Sequence, residues 1–156
     1  MAINTSKVIV GGLVAGAVAN VIDFAVQGYL LADMQKAALD ALNPTLAASA
    51  MQSSKIPVFV ALDFVWGFAV VWLYAAIRPR FGPGVRTAAI AGVMSWLLGA
   101  TSIAFFAAMG LFTWSFFAIG AACALINAII TTIAGAKFYT EEAGAPGTVG
   151  QTAYSA

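Results

Sequence analysis

The chain has 156 residues, 62% of them hydrophobic and 8% charged, with a mean hydropathy of +0.95 and a net charge of +1. So little charge cannot keep the surface of a soluble domain wet, and the solvent of this fold is therefore lipid. Near-neutral charge leaves no basic stripe for nucleic acid, and the absence of histidine removes imidazole bases, His-ligated zinc or haem, and histidine pH switches.

Four segments reach the roughly 20 apolar residues that a bilayer core of about 30 Å requires. The first, 8–32, carries Asp23 as its one charge, and the second, 56–77, carries Asp63. The third, 87–110, and the fourth, 112–136, carry none. The expected fold is all-α, an integral membrane four-helix bundle occupying 1–139, followed by a disordered tail over 140–156 that is rich in Gly, Ala and small polar residues. Ala17-Val18-Ala19 can also be read as a signal-peptidase site. Apolar character continues past it to Leu31, too long for a signal segment alone, so a retained first span is the expectation.

Between the first two spans, Met34, Ala38, Leu39 and Leu42 recur at helical spacing, Asn43-Pro44 marks a turn, and Thr45 to Gln52 allows a second short helix. A short helix lying along the membrane interface follows. The link from Arg78 to Arg86 holds three arginines and no acid, and Gly82-Pro83-Gly84 forces a tight turn within it. Gly110 to Thr113 leaves almost no link, making the last two spans an antiparallel hairpin. Phe24-x-x-x-Gly28 echoes Phe106-x-x-x-Gly110, and Leu73-Tyr74 echoes Phe138-Tyr139, so a repeat would be a parallel two-plus-two arrangement.

Orientation follows from the basic residues. Arg78, Arg80 and Arg86, with Lys7 and Lys137, share one side by parity, whereas Lys36 and Lys55 on the other are offset by Asp33 and Asp40. Both termini are expected in the cytoplasm. The arginines also suit anionic lipid head groups, although three fall short of a polybasic cluster.

Each span carries a stripe of small and polar residues of the kind that lets membrane helices approach closely. Gly12, Gly16, Asn20, Asp23 and Gln27 line the first, and Asp63, Gly67, Val70 and Tyr74 the second. Gly92, Ser95, Gly99 and Ser102 line the third, and Gly120, Ala124, Asn127, Thr131 and Gly135 the fourth. Gly12, Gly16, Gly67 and Gly99 are the expected packing positions. Asp23 and Asp63 lie at one depth on adjacent antiparallel helices, Ser102 reaches a similar level, and Asn20 and Asn127 lie near the midplane. No Lys or Arg within the spans neutralises either carboxylate. Two close carboxylates in hydrocarbon cannot both stay charged cheaply, so one is expected to hold a proton. That makes Asp23, Asp63, Asn20, Ser102 and Asn127 a candidate polar or ion site, with a structural hydrogen-bond lock as the competing role.

Enzyme chemistry finds little footing. No histidine triad can be built, Ser95 and Ser102 have no buried lysine as base, and Cys123 lies among apolar residues where a thiolate is costly. The sequences around Asp23 and Asp63 lack the Tyr-Asp and Gly-x-Gly-Asp signatures of intramembrane aspartyl proteases. Nothing calls for a metal or a cofactor. The aromatics of the last two spans, Trp96, Phe112, Trp114, Phe116 and Phe117 among them, suit lipid contact, a lipophilic pigment or quinone, or a neighbouring subunit.

The stretch Val71-Trp72-Leu73-Tyr74-Ala75-Ala76-Ile77-Arg78-Pro79-Arg80-Phe81-Gly82-Pro83-Gly84, with Gly12, Asn20 and Gly28 before it and Ala134-Gly135-Ala136 after it, resembles a family of small four-helix bacterial inner-membrane proteins. The resemblance reaches to about Tyr139 and implies a four-span protein of the bacterial inner membrane; the family has no assigned activity, so no functional residue is carried over. Two roles remain in expectation. One is a non-enzymatic accessory or assembly subunit acting through helix packing, with lipid and other membrane proteins or its own copies as partners. The other is a small proton- or cation-coupled carrier or channel using Asp23 and Asp63.

Overall fold

A computed structural model describes residues 3–50 and 52–141, so the expected disordered tail lies outside the described residues from position 142 onward. Helix α1 (Thr5–Ala25) starts at Asn4, whose side chain accepts the Lys7 backbone N–H at 3.1 Å and so satisfies a donor that a helix start leaves free. It passes into one π-helical turn, Val26–Leu30, and then into the short helices α2 (Ala32–Leu42) and α3 (Pro44–Ala50). After a 3-10 turn at Ser53–Lys55 come α4 (Ile56–Phe81), α5 (Val85–Ala108) and α6 (Trp114–Ala136), the last capped by Thr113, which accepts from Phe116 N–H at 3.2 Å.

Four helical stretches, Thr5–Leu30, Ser53–Phe81, Val85–Ala108 and Trp114–Ala136, are long and apolar enough to span a membrane. Their 23 to 29 residues, at about 1.5 Å each, exceed a hydrocarbon core of about 30 Å. The protein is an all-α, multi-pass membrane bundle. Leu98, Phe105, Val21 and Leu62 are among the large apolar side chains left on its outside, where lipid tails meet them.

The second span is longer than its hydrophobic stretch. Arg78, Pro79 and Arg80 continue α4 to Phe81, and the connection shrinks to Gly82–Gly84. Pro79 is tolerated because it lies in the last turn, where its missing N–H forfeits a single bond, and arginine stems reach back along an apolar surface while their charge reaches the interface. Gly82 (φ +80°) and Gly84 (φ +120°) then make the reversal, which Thr87 fastens by donating its hydroxyl to the Gly82 carbonyl at 2.7 Å. α1 runs without a break through Ala17–Ala19, and Ala19 is buried.

α1 packs against α4 and α6, and α5 against α6 and α4, so α1 and α5 stand diagonally. The hydrophobic core lies at one end of this ring, where Val8, Ala15, Val70, Val71, Tyr74, Ala88 and Tyr139 meet. It is the end that brings Asn4 and Tyr139 together, and it is called the terminal half below; the other is the α2 half. Tyr139 accepts the Asn4 N–H at 3.3 Å and stands edge-on to the Tyr74 ring at 5.9 Å, while the Tyr74 hydroxyl accepts the Gly84 N–H at 3.2 Å.

Candidate functional site

The α1–α4 crossing is what brings the aspartates together. Gly67 lies against Gly12 and Gly16 so closely that a Cβ there would stand 2.5 Å from the Gly16 nitrogen and 2.6 Å from the Gly12 carbonyl oxygen. Only a pair of facing glycines permits that approach. Cβ atoms on Gly12 and Gly16 would run into Phe68 and Phe64. One turn further on, Asn20 donates to the Gly16 carbonyl of its own helix at 2.9 Å and to the Val60 carbonyl of α4 at 3.4 Å. Backbones held at this distance place the next polar residues, Asp23 and Asp63, beside each other.

From α6, Asn127 completes the group. Its amide nitrogen donates to Asp23 Oδ1 at 2.9 Å, and its Oδ1 accepts from the Thr131 hydroxyl at 2.8 Å. Thr131 thereby sets the direction of the amide, because an oxygen engaged by a hydroxyl donor leaves the NH2 facing the carboxyl. Thr131 and Asn127 are buried, whereas both aspartates are half-buried. Among the described residues the salt bridges are Lys36–Asp40 and Arg78–Glu141, and neither involves the pair. Two neighbouring carboxyls with no cation beside them cannot both stay charged cheaply in hydrocarbon.

Ser102 is placed elsewhere. Its exposed hydroxyl donates to the Leu98 carbonyl of its own helix at 3.0 Å, because α5 stands diagonally from α1 and cannot reach Asp23. Gly99 differs from the other packing glycines: a Cβ there would meet nothing within 4 Å. A close crossing that glycine periodicity did not single out joins α1 to α6, where a Cβ on Gly11 would lie 2.7 Å from the Gly135 oxygen and a Cβ on Gly135 the same distance from the Gly11 oxygen. Gly92 similarly abuts the Ala128 carbonyl of α6, at 2.7 Å from its would-be Cβ.

Arg80 and Arg86 are exposed, but Arg78 is folded into the terminal end. Its guanidinium stands 5.6 Å from the Tyr139 ring centroid and 3.1 Å from Glu141 Oε1. The Glu141 contact is an ion pair without an aligned hydrogen bond, and Nε has no acceptor among the described residues. Arg78 therefore ties the end of α4 to the segment that follows α6.

Beside the carboxyl pair the bundle opens. A cavity of about 560 Å³ lies between the α1 end, α4, α5 and α6, with Trp66, Trp96, Phe112, Phe116 and Phe117 in its walls. Trp66 is three residues from Asp63, Gln27 four from Asp23, and Ala124 and Ala128 flank Asn127, so the site and the cavity share helices at adjacent positions. The roof is α2. Leu31, Gln35, Ala38 and Leu39 turn towards the cavity, while Asp33, Lys36 and Asp40 face away. Ala38 and Leu39 of the face marked by helical spacing line the cavity, whereas Met34 and Leu42 do not. On the outer face, Lys36 donates to Asp40 at 2.6 Å, which holds its ammonium above the ordinary lysine range.

No family model, curated protein or solved structure matches the chain, so what the site can do rests on its own geometry.

Proposed function

We propose that the protein is a small proton-conducting carrier or channel of the bacterial inner membrane, both termini cytoplasmic, in which Asp23 and Asp63 hold a transferable proton. The observation that carries this reading is the pair of neighbouring, half-buried carboxyls on α1 and α4, with Asp23 held by the Asn127 amide at 2.9 Å. Intramembrane carboxylates of this kind mark proton and cation pathways, since each must be neutralised to remain in the bundle. The accessory or assembly-subunit role has weaker support, because the closest glycine approaches, at Gly11, Gly12, Gly16, Gly67, Gly92 and Gly135, are made within the chain itself. A lipid head-group role is left to Arg80 and Arg86.

The test is proton flux in liposomes containing a pH-sensitive dye, driven by a potassium diffusion potential. Wild type should acidify or alkalinise the lumen according to the imposed potential. Asp63→Asn and Asp23→Asn should each abolish the flux while the helical content and the monodisperse elution of the protein are kept. Flux that survives the double substitution refutes the reading. An absence of flux in wild type, with loss of thermal stability in the variants, assigns the pair a structural role.

A further inference from the structure

We infer, resting on the proton-holding pair proposed above, that its two carboxyls are unequal: Asn127 and Thr131 fix Asp23 as the charged member, and Asp63 carries the proton.

Asn127 lies on α6 with 8% of its surface exposed, and Thr131, one turn later, is fully buried. An amide can offer a neighbouring carboxyl either end, its NH2 to the charged form or its oxygen to the protonated form. The Thr131 hydroxyl decides which, since it donates to Asn127 Oδ1 at 2.8 Å and leaves the amide nitrogen to donate to Asp23 Oδ1 at 2.9 Å. A donor aimed at a carboxyl oxygen favours the ionised form. Asn127 and Thr131 are thus positioning residues, acting through Asp23 and taking no proton themselves.

Asp63 has no such donor. Among the described residues, no side-chain amide, hydroxyl or cation bonds to it. Asn20, the other amide at this crossing, spends its NH2 group on the Gly16 and Val60 carbonyls. One turn before Asp63, Phe59 and Val60 present exposed apolar side chains, which give a carboxylate nothing to bond. The nearest other titratable groups along these helices are Tyr29, six residues after Asp23, Lys55, eight before Asp63, and Cys123, four before Asn127. α5, which packs on α4 and α6, has only Arg86, at its far end. None of these bonds to either aspartate. With a charged Asp23 beside it and no donor of its own, Asp63 is the carboxyl that stays neutral.

The experiment uses the full chain, synthesised in a cell-free system with aspartate whose side-chain carboxyl carries a heavy carbon isotope. Infrared spectra at neutral pH then read the C=O stretch of protonated carboxyls, in maltoside micelles whose lack of ester carbonyls leaves that region clear. Wild type should show a protonated band displaced by the isotope. In Asp63→Glu the proton moves to an unlabelled side chain and the displacement should vanish; in Asp23→Glu it should remain. Asn127→Leu takes the donor from Asp23, so the band should grow about twofold as the second carboxyl also takes a proton. An unchanged band in a folded Asn127→Leu protein overturns the proposal, because a residue needed only for packing behaves that way. So does a displacement that survives Asp63→Glu and vanishes in Asp23→Glu, one that is halved in both, or the absence of a protonated band in wild type. Should Asn127→Leu not fold, the two glutamate variants decide alone. Liposome flux is read separately: a proton on Asp63 without flux upholds this assignment and removes the carrier or channel, whereas flux with the proton on Asp23 does the reverse.

Discussion

In the terminal half, α1, α4 and α6 close on glycine contacts and on an aromatic cap of Tyr74 and Tyr139; in the α2 half, helices of much the same composition stand around a cavity. Both halves are rich in Gly and Ala. The difference lies in what faces each small residue. Gly67 meets the backbone of Gly16 and Gly12, and Gly135 meets Gly11, so the backbones come together. Gly99 and Gly120 line the cavity together with Trp96, Phe112 and Phe116, and a Cβ on either meets nothing within 4 Å. A small residue brings helices together only when the facing position is also small or yields room; next to a fixed ring it leaves space. The carboxyl pair sits at the boundary between these regimes, close enough to the tight crossing to be aligned and close enough to the open part to be half-exposed.

Substitutions at facing positions in the two halves break or sharpen this contrast. The largest effect is expected from Gly67→Leu, which has backbone on the other side and no space to yield; overpacking of about 3 kcal/mol or more should appear as lost resistance to SDS in mixed micelles, or as failure to assemble. Close behind comes Tyr139→Ala, which removes a buried ring along with the Asn4 bond and the Arg78 contact, and should cost about 3 kcal/mol in the same titration. An unaltered midpoint would show that the terminal cap is not what closes that half.

Thr131→Val is expected to cost about 1 kcal/mol, the usual scale of a polar contact between membrane helices. Its more telling consequence is functional. Without the hydroxyl donor, Asn127 is free to turn its oxygen towards Asp23, so flux in liposomes should fall although both aspartates remain. Flux equal to wild type would remove Asn127 orientation from the account. The smallest effect belongs to Gly99→Leu, with a stability change within about 0.5 kcal/mol despite the bulk added, since the new side chain enters open space. A large loss there would mean that α5 and α6 close in the membrane and that the contrast between the halves is false.

Much of the fold is legible from the chain itself. Four apolar stretches of bilayer length, separated by Arg78–Arg86, Gly110–Thr113 and the amphipathic segment after Leu31, leave little choice but an antiparallel four-helix bundle, because every backbone polar group in lipid must be satisfied within its own helix. The equal depth of Asp23 and Asp63 also follows from counting residues at about 1.5 Å each along neighbouring helices. What periodicity along one helix cannot supply is the identity of the neighbour. Ser102 shares the depth of the pair yet stands on the helix diagonal to α1, and Gly99 continues the Gly92–Ser95 stripe yet faces a void. Gly11, which lies off the Gly12–Gly16 stripe, makes the close approach to α6. Length and hydropathy act on each helix separately, and the sequence therefore determined the spans, their antiparallel order and the level of the carboxyls. Which faces meet, where the helices part, and that Asn127, of the five candidate residues, bonds Asp23 while Thr131 orients its amide were decided by tertiary packing, since side chains from distant parts of the chain compete for the same space only after the helices have come together.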